Sequence, residues 1–106
     1  MEINDWSTER LLQTSGSYWA TCALHAGVKL DLFSQLETGP ATAADLARRI
    51  GGDPRGVGML ANALVALGLL SKQGQCFANT DFASRQLVCS SPDYLGHILM
   101  HHHHLM

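Results

Sequence analysis

Residues 42–79 read TAADLARRIGGDPRGVGMLANALVALGLLSKQGQCFAN, and the order of start and stop signals in this stretch decides the fold. Thr42-Ala43-Ala44-Asp45 matches a capping box, in which the hydroxyl accepts from the third helical amide and the carboxylate reaches back to the cap's own amide. A helix is expected to start there. Leu46 and Ile50 share a face with Ala43 and Ala47, and Gly51-Gly52 supplies the positive-φ positions that end a helix. Asp53-Pro54 opens the next one, a carboxylate cap followed by a proline where its missing N–H costs nothing. Val57, Leu60, Ala61, Leu64 and Leu67 then recur at helical spacing, so one face packs inward until Gly68. Leu69-Leu70-Ser71-Lys72 and Gln75-Cys76-Phe77-Ala78 flank Gln73-Gly74, the pattern of two short strands around a tight turn. The expected fold class is mainly α: a winged helix-turn-helix-like domain with a short two-stranded β-hairpin.

Charge argues against the use to which such a unit is often put. From Asp53 to Leu67 the second helix of the pair holds one acid, Asp53, and one base, Arg55, and Lys72 is the only cation of the wing. A DNA reader gains most of its non-specific affinity from several phosphate contacts and reads base edges with long polar side chains. This helix offers Arg55, Asn62 and small apolar residues. Arg48 and Arg49 are adjacent and point in different directions, the pattern of a solvated face. Over the whole chain Lys+Arg number 7 against Asp+Glu 9, a net charge of −2, which gives no electrostatic attraction to nucleic acid or an anionic membrane.

At 106 residues the chain makes one domain. It is too small for a separate nucleotide-binding sheet. Charged residues are only 15 %, against roughly 25 % in an average soluble domain, and apolar residues are 46 %. Such a balance fits either an alanine-rich helical protein or an apolar surface covered by another subunit. No stretch of 18 apolar residues exists, and the polar start Glu2-Ile3-Asn4-Asp5 is unlike a signal peptide, so a cytoplasmic location is expected. Cys22, Cys76 and Cys89 lack metal-ligand spacing and read as buried free thiols.

Outside the central stretch, a first helix is expected over residues 7–26. Leu11, Leu12, Ser15, Tyr18, Trp19, Cys22 and Ala26 give it an apolar stripe wider than a three-helix core needs. Gly16 sits mid-helix, where glycine costs about 1 kcal/mol relative to alanine unless another helix must come close. Gly27 reads as the stop, and Leu32, Phe33 and Leu36 as a short second helix closed by Thr38-Gly39-Pro40. After the wing, Asn79-Thr80-Asp81 caps a short helix through Leu87, and Ser91-Pro92-Asp93 starts another that runs to the end. Nothing from Tyr94 to Met106 resembles a C-terminal cap, so the chain is expected to be the front of a longer protein. His101 to His104 read either as the end of a purification tag or as a natively encoded polar helix face. His97, His101 and His104 share a face at ligand-capable spacing, without a carboxylate or thiol to complete a metal site.

These residues carry a resemblance. Gly27-Val28-Lys29-Leu30-Asp31-Leu32-Phe33, then Thr42-Ala43-Ala44-Asp45-Leu46-Ala47, then Leu67-Gly68-Leu69-Leu70, and Asn79-Thr80 before Ala83-Ser84 resemble the N-terminal dimerisation domain of small-molecule O-methyltransferases. The likeness covers nearly the whole chain, and its specificity lies in the order of the pieces. It implies that residues 1–106 are one winged-helix-like dimerisation domain. The first and last helices would intertwine with a second copy, ahead of a C-terminal catalytic domain, absent here, that binds S-adenosylmethionine.

The family's glycine-rich cofactor loop and histidine base belong to that following domain. There is no G-x-G-x-x-G here, so no catalytic, cofactor-binding or metal-ligating residue is assigned in this chain. With the low overall charge, the stripe and mid-helix glycine of the first helix are expected to form the dimer interface, on Leu11, Leu12, Ser15, Gly16, Tyr18, Trp19 and Cys22. The resemblance implies that the domain shapes the acceptor-substrate pocket, and Tyr18 and Trp19, flat apolar walls with polar tips, are expected to form its wall. Burial of these two rings between the chain's own helices is the alternative. The expected function is homodimerisation and shaping of that pocket in an S-adenosylmethionine-dependent O-methyltransferase whose acceptor is a small molecule. A winged-helix DNA-binding transcription regulator is the competing reading. The acceptor, and whether oxygen, nitrogen or sulfur is methylated, stay open.

Overall fold

The computed structural model describes residues 6–105. Its elements are α1 (Thr8–Lys29), α2 (Leu32–Gln35), β1 (Ala41–Thr42), α3 (Ala43–Ile50), α4 (Pro54–Ala66), β2 (Leu70–Gln73), β3 (Cys76–Asn79), α5 (Asp81–Gln86) and α6 (Gly96–His104). The chain is mainly helical with a small antiparallel sheet, as expected, and the side-chain caps of both central helices form, although the Asp45 carboxylate of the expected capping box pairs with Arg48. Thr42 Oγ1 accepts from Asp45 N at 3.2 Å, and Asp53 Oδ2 accepts from Gly56 N at 3.0 Å with Pro54 in the first turn. Gly51 (φ 71°) ends α3, and Gly68 (φ 84°) follows α4, where Leu69 N donates to Leu64 O at 3.0 Å. These positive-φ turns fix the angle at which α3 meets α4 and the direction in which the hairpin leaves.

The sheet has three strands rather than two, in the order β1-β3-β2. Ala41 pairs with Phe77 and Thr42 with Cys76, so two residues ahead of α3 cover the edge of the hairpin. A two-residue strand carries no periodic signal, which is why the pattern reveals only the hairpin. The turn lies one residue later than expected: Gln73 and Cys76 are still paired, and Gly74 (φ 63°) begins the turn.

The core lies where α1, α2, α3, α4 and the sheet converge. Leu32, Phe33, Leu46, Ala61 and Leu64 are wholly buried, with Leu70, Phe77 and Ala83 closing the far side. Burying a leucine- or phenylalanine-sized side chain contributes about 1.5–3 kcal/mol, so these residues hold the domain together. Asn79 pins the sheet to α2 through Nδ2 donating to Phe33 O at 2.8 Å.

Two ends depart from expectation. Gly27 is not the stop of α1, which runs to Lys29; the helix turns instead at Asp31, a non-glycine residue at φ 55°. Aspartate tolerates that region better than most side chains because its short polar group bonds locally. Residues 88–95 form turns, and α6 begins only at Gly96. The Ser91 hydroxyl explains the delay: it donates to Arg85 O and accepts from Asp93 N, so the Ser-Pro-Asp signal is used to make a turn.

Candidate functional site

Helix α1 has 22 residues and is thus about 33 Å long at 1.5 Å per residue, yet its buried residues are Ala23, His25, Gly27 and Val28. Its first four turns stand clear of the core. Ser7 Oγ caps it by accepting from Arg10 N at 3.1 Å, and the Arg10 guanidinium lies 4.4 Å from the Trp6 ring centroid. Of the assigned interface residues, Leu12 is 66 % exposed, Tyr18 69 % and Trp19 49 %, and Leu11, Ser15 and Cys22 are exposed as well. The alternative in which Tyr18 and Trp19 are buried between the chain's own helices therefore fails. Around Gly16, an added Cβ would meet only the ring of Trp19, at 3.8 Å, so no other described element approaches the helix there.

The packed half of α1 meets α4 and α6. A Cβ on Gly27 would lie 3.1 Å from both Leu64 Cδ1 and Phe33 Cε2. This glycine permits a close helix crossing. On the opposite side α6 lays Leu99 and Met100 against the core and leaves Leu95, Ile98 and Leu105 exposed. His103 reaches back to α1 and meets His25 edge to face, ring centroids 5.3 Å apart.

Between α1 and α6 lies a cleft of about 410 Å³ lined by Tyr18, Cys22, His25, Ala26, Lys29 and His103. Tyr18 lines this cleft, and Trp19 does not. His25 is only 5 % exposed, and its Nδ1 is buried without a hydrogen-bond partner among the described residues. Burial pushes its pKa below the ordinary value, helped by His103 and then His102. Cys22 hydrogen-bonds Tyr18 and raises its phenol pKa. The sequence reading missed His25, because a lone histidine on an apolar stripe carries no spacing signal.

The cysteines correct another expectation. Cys22 and Cys89 are exposed and Cys76 is half-buried, although all are free. The Cys89 thiol donates to Asp31 Oδ1 at 3.2 Å. Beside it burial pushes the Tyr94 phenol up to about 12, with a hydrogen bond to Cys89 adding to the effect. Among the described residues no three His, Cys, Asp or Glu side chains are grouped as a metal site, and no helix is long and apolar enough to cross a membrane.

Three of the cations around α3 and the hairpin are engaged within the chain. Arg48 pairs with Asp45, Arg49 Nη1 donates to Gln35 O at 2.7 Å, and Lys72 Nζ donates to Asn62 Oδ1 at 3.0 Å. Asn62 and Lys72, the polar groups a recognition helix and wing would turn to DNA, bind each other.

Fold and surface together define a mainly helical domain with a well-packed half, a long helix left bare, and a cleft at the junction. The chain belongs to the O-methyltransferase dimerisation domain family, whose model matches residues 12–88. Among curated relatives it is 38 % identical over 87 residues to the tetracenomycin polyketide synthesis 8-O-methyl transferase TcmO of Streptomyces glaucescens, covering 81 % of this chain and 26 % of the relative. It is 40 % identical over 96 residues to the N,N-dimethyltransferase OxyT of Streptomyces rimosus, covering 87 % and 27 %. The chain thus spans about a quarter of the length of these relatives. Among solved structures, an O-methyltransferase family protein from Burkholderia thailandensis superposes with a TM-score of 0.82 at 36 % identity, over 92 % of this chain and 29 % of that one. Human N-acetylserotonin methyltransferase in complex with SAM superposes with 0.78 at 25 % identity, over 93 % and 31 %.

Proposed function

We propose that this domain pairs with a second copy of itself through the bare half of α1, and that it forms part of the acceptor pocket of a cytoplasmic, S-adenosylmethionine-dependent methyltransferase acting on a small molecule. In this reading the order α3, turn, α4, hairpin is a winged-helix-like frame used for packing. Leu11, Leu12, Ser15, Gly16, Tyr18, Trp19 and Cys22 are the interface, and Tyr18 with Trp19 forms the pocket wall. The observation that carries it is the exposure of Leu12, Tyr18 and Trp19 on a helix whose other half is buried. Apolar side chains left exposed at helical spacing represent surface that a sister helix can remove from water.

Methyl transfer itself belongs to a further domain, which supplies the cofactor and the base. Transfer from a sulfonium needs an in-line approach in a site from which water is excluded. This domain contributes orientation and closure only. The relatives include both an O- and an N,N-methyltransferase, so the acceptor atom follows from the other domain and not from this fold.

Sedimentation equilibrium of the chain tests the pairing. A dimer mass that Leu12→Glu reduces to a monomer, with an unchanged circular dichroism spectrum, supports the reading. A compact monomer at high concentration overturns it.

A further inference from the structure

We infer that His97 and His101 of α6 form a two-nitrogen chelate for a divalent transition ion that favours imidazole, such as Zn²⁺ or Ni²⁺, with water completing its coordination. The site stands apart from the pairing and from the acceptor pocket, because both ligands lie on one helix of one chain.

Helix α6 carries His97, His101, His102, His103 and His104. On a helix only side chains three or four residues apart face each other, so adjacent members of the run of four do not share an ion. His103 turns inward to His25, and the other four are exposed. Among these, His97 and His101 stand at i and i+4, the spacing at which the two histidines of an H-E-x-x-H helix hold zinc. His102 points to a different face. His101 and His104 are three apart, but the His104 ring lies against His103, centroids 5.6 Å apart, on the last residue of the helix. Positions 97 and 104 are about 10 Å apart along the axis, too far for one ion to join all three ligands of that face. This agrees with the lack of any three-ligand group among the described residues.

The surroundings favour a cation. Residues 94–105 contain no Lys, Arg, Asp or Glu, so no fixed charge competes for the rings or repels the ion. His101 lies in the last turn, where the helix carbonyls present partial negative charge. Neither side chain makes a hydrogen bond or ion pair among the described residues, and the His97 ring meets Tyr94 edge to face, centroids 5.1 Å apart. Bringing two exposed rings to one ion therefore takes only rotamer changes at the surface. Two neutral nitrogens select ions that accept imidazole over Mg²⁺ and Ca²⁺, which take oxygen.

Zn²⁺ and Ni²⁺ are the probes, titrated calorimetrically into the chain with Mg²⁺ as the control. One equivalent of either transition ion is expected to bind with a dissociation constant on the order of 10–100 μM, and Mg²⁺ to give no signal. His97→Gln and His101→Gln each weaken that equivalent about tenfold or more, since a single imidazole no longer chelates. Glutamine suits a helix better than histidine, so an unchanged circular dichroism spectrum is expected for both. His102→Gln, which interrupts the run but not the chelating face, leaves the affinity unchanged, and so does Leu12→Glu, because one chain suffices. Binding that survives His97→Gln and is lost on His102→Gln or His104→Gln places the ion on the run itself and overturns the inference. So does a wild-type chain that binds neither ion, or binding that Leu12→Glu abolishes, which would require a second copy.

Discussion

Gly27 of α1 lies against Leu64 of α4 so closely that a Cβ at position 27 would stand 3.1 Å from Leu64 Cδ1. The same Cβ would meet Phe33 at 3.1 Å, and both neighbours are wholly buried, so neither can move into solvent. Gly27→Ala improves helix propensity by about 1 kcal/mol but overpacks the crossing by about 1–3 kcal/mol. A net loss of about 1 kcal/mol is expected, read as a lower urea midpoint at unchanged slope, and Gly27→Val loses more.

Glycine has two meanings in a helical pattern, and that ambiguity marks how far the sequence could be read. Thr42, Asp53, Gly51, Gly68 and Thr80 act through local bonds and turns, so the bounds of α3, α4, the hairpin and α5 follow from neighbours in the chain. Gly27 acts through Leu64 and Phe33, contacts the sequence does not place beside it, and its local signal alone is that of a helix stop. Strand β1 escaped for the same reason, since its partner Phe77 is far along the chain. On the site side, excess apolar residues on α1 were legible in Leu12, Tyr18 and Trp19. The cleft was not, because His103 comes to His25 only through the packing of α6.

Thr80 joins two elements with one hydroxyl: Oγ1 accepts from Ala83 N at 3.3 Å as the cap of α5 and donates to Leu69 O at 3.0 Å. Thr80→Val keeps the shape and removes both bonds. A loss of about 1–2 kcal/mol is expected in denaturant melts, with Thr80→Ser restoring most of it.

Stability should fall on the acid side through His25. Its pKa is lowered in the folded chain from 6.5, burial being the first cause and His103 the second. Below that ordinary value the unfolded chain binds a proton that the folded chain resists, so stability is fully present above it and declines as the pH falls toward the folded pKa. Melting temperatures between pH 8 and 5 should drop more steeply for the wild type than for His25→Phe. Equal slopes for the two would show that the α1–α6 contact does not respond to the proton.

The DNA-binding alternative can be put to a direct titration, and the cation inventory sets the expectation. Affinity for duplex DNA grows with the number of phosphates neutralised, and its dependence on salt reports that number. Arg48, Arg49 and Lys72 each already bind an acceptor of this chain, Lys72 on the amide oxygen of Asn62 on α4. Recruiting these groups to phosphate would break their existing bonds, and the net charge of −2 repels the duplex at long range. Binding no tighter than about 10⁻⁴ M is therefore expected at physiological salt, the weak end of non-specific association. Lys72→Ala should leave that value unchanged, since its ammonium faces Asn62 and the Phe77 ring. Submicromolar binding with a steep salt slope that Lys72→Ala flattens would instead assign the hairpin to the phosphate backbone and return α4 to the groove.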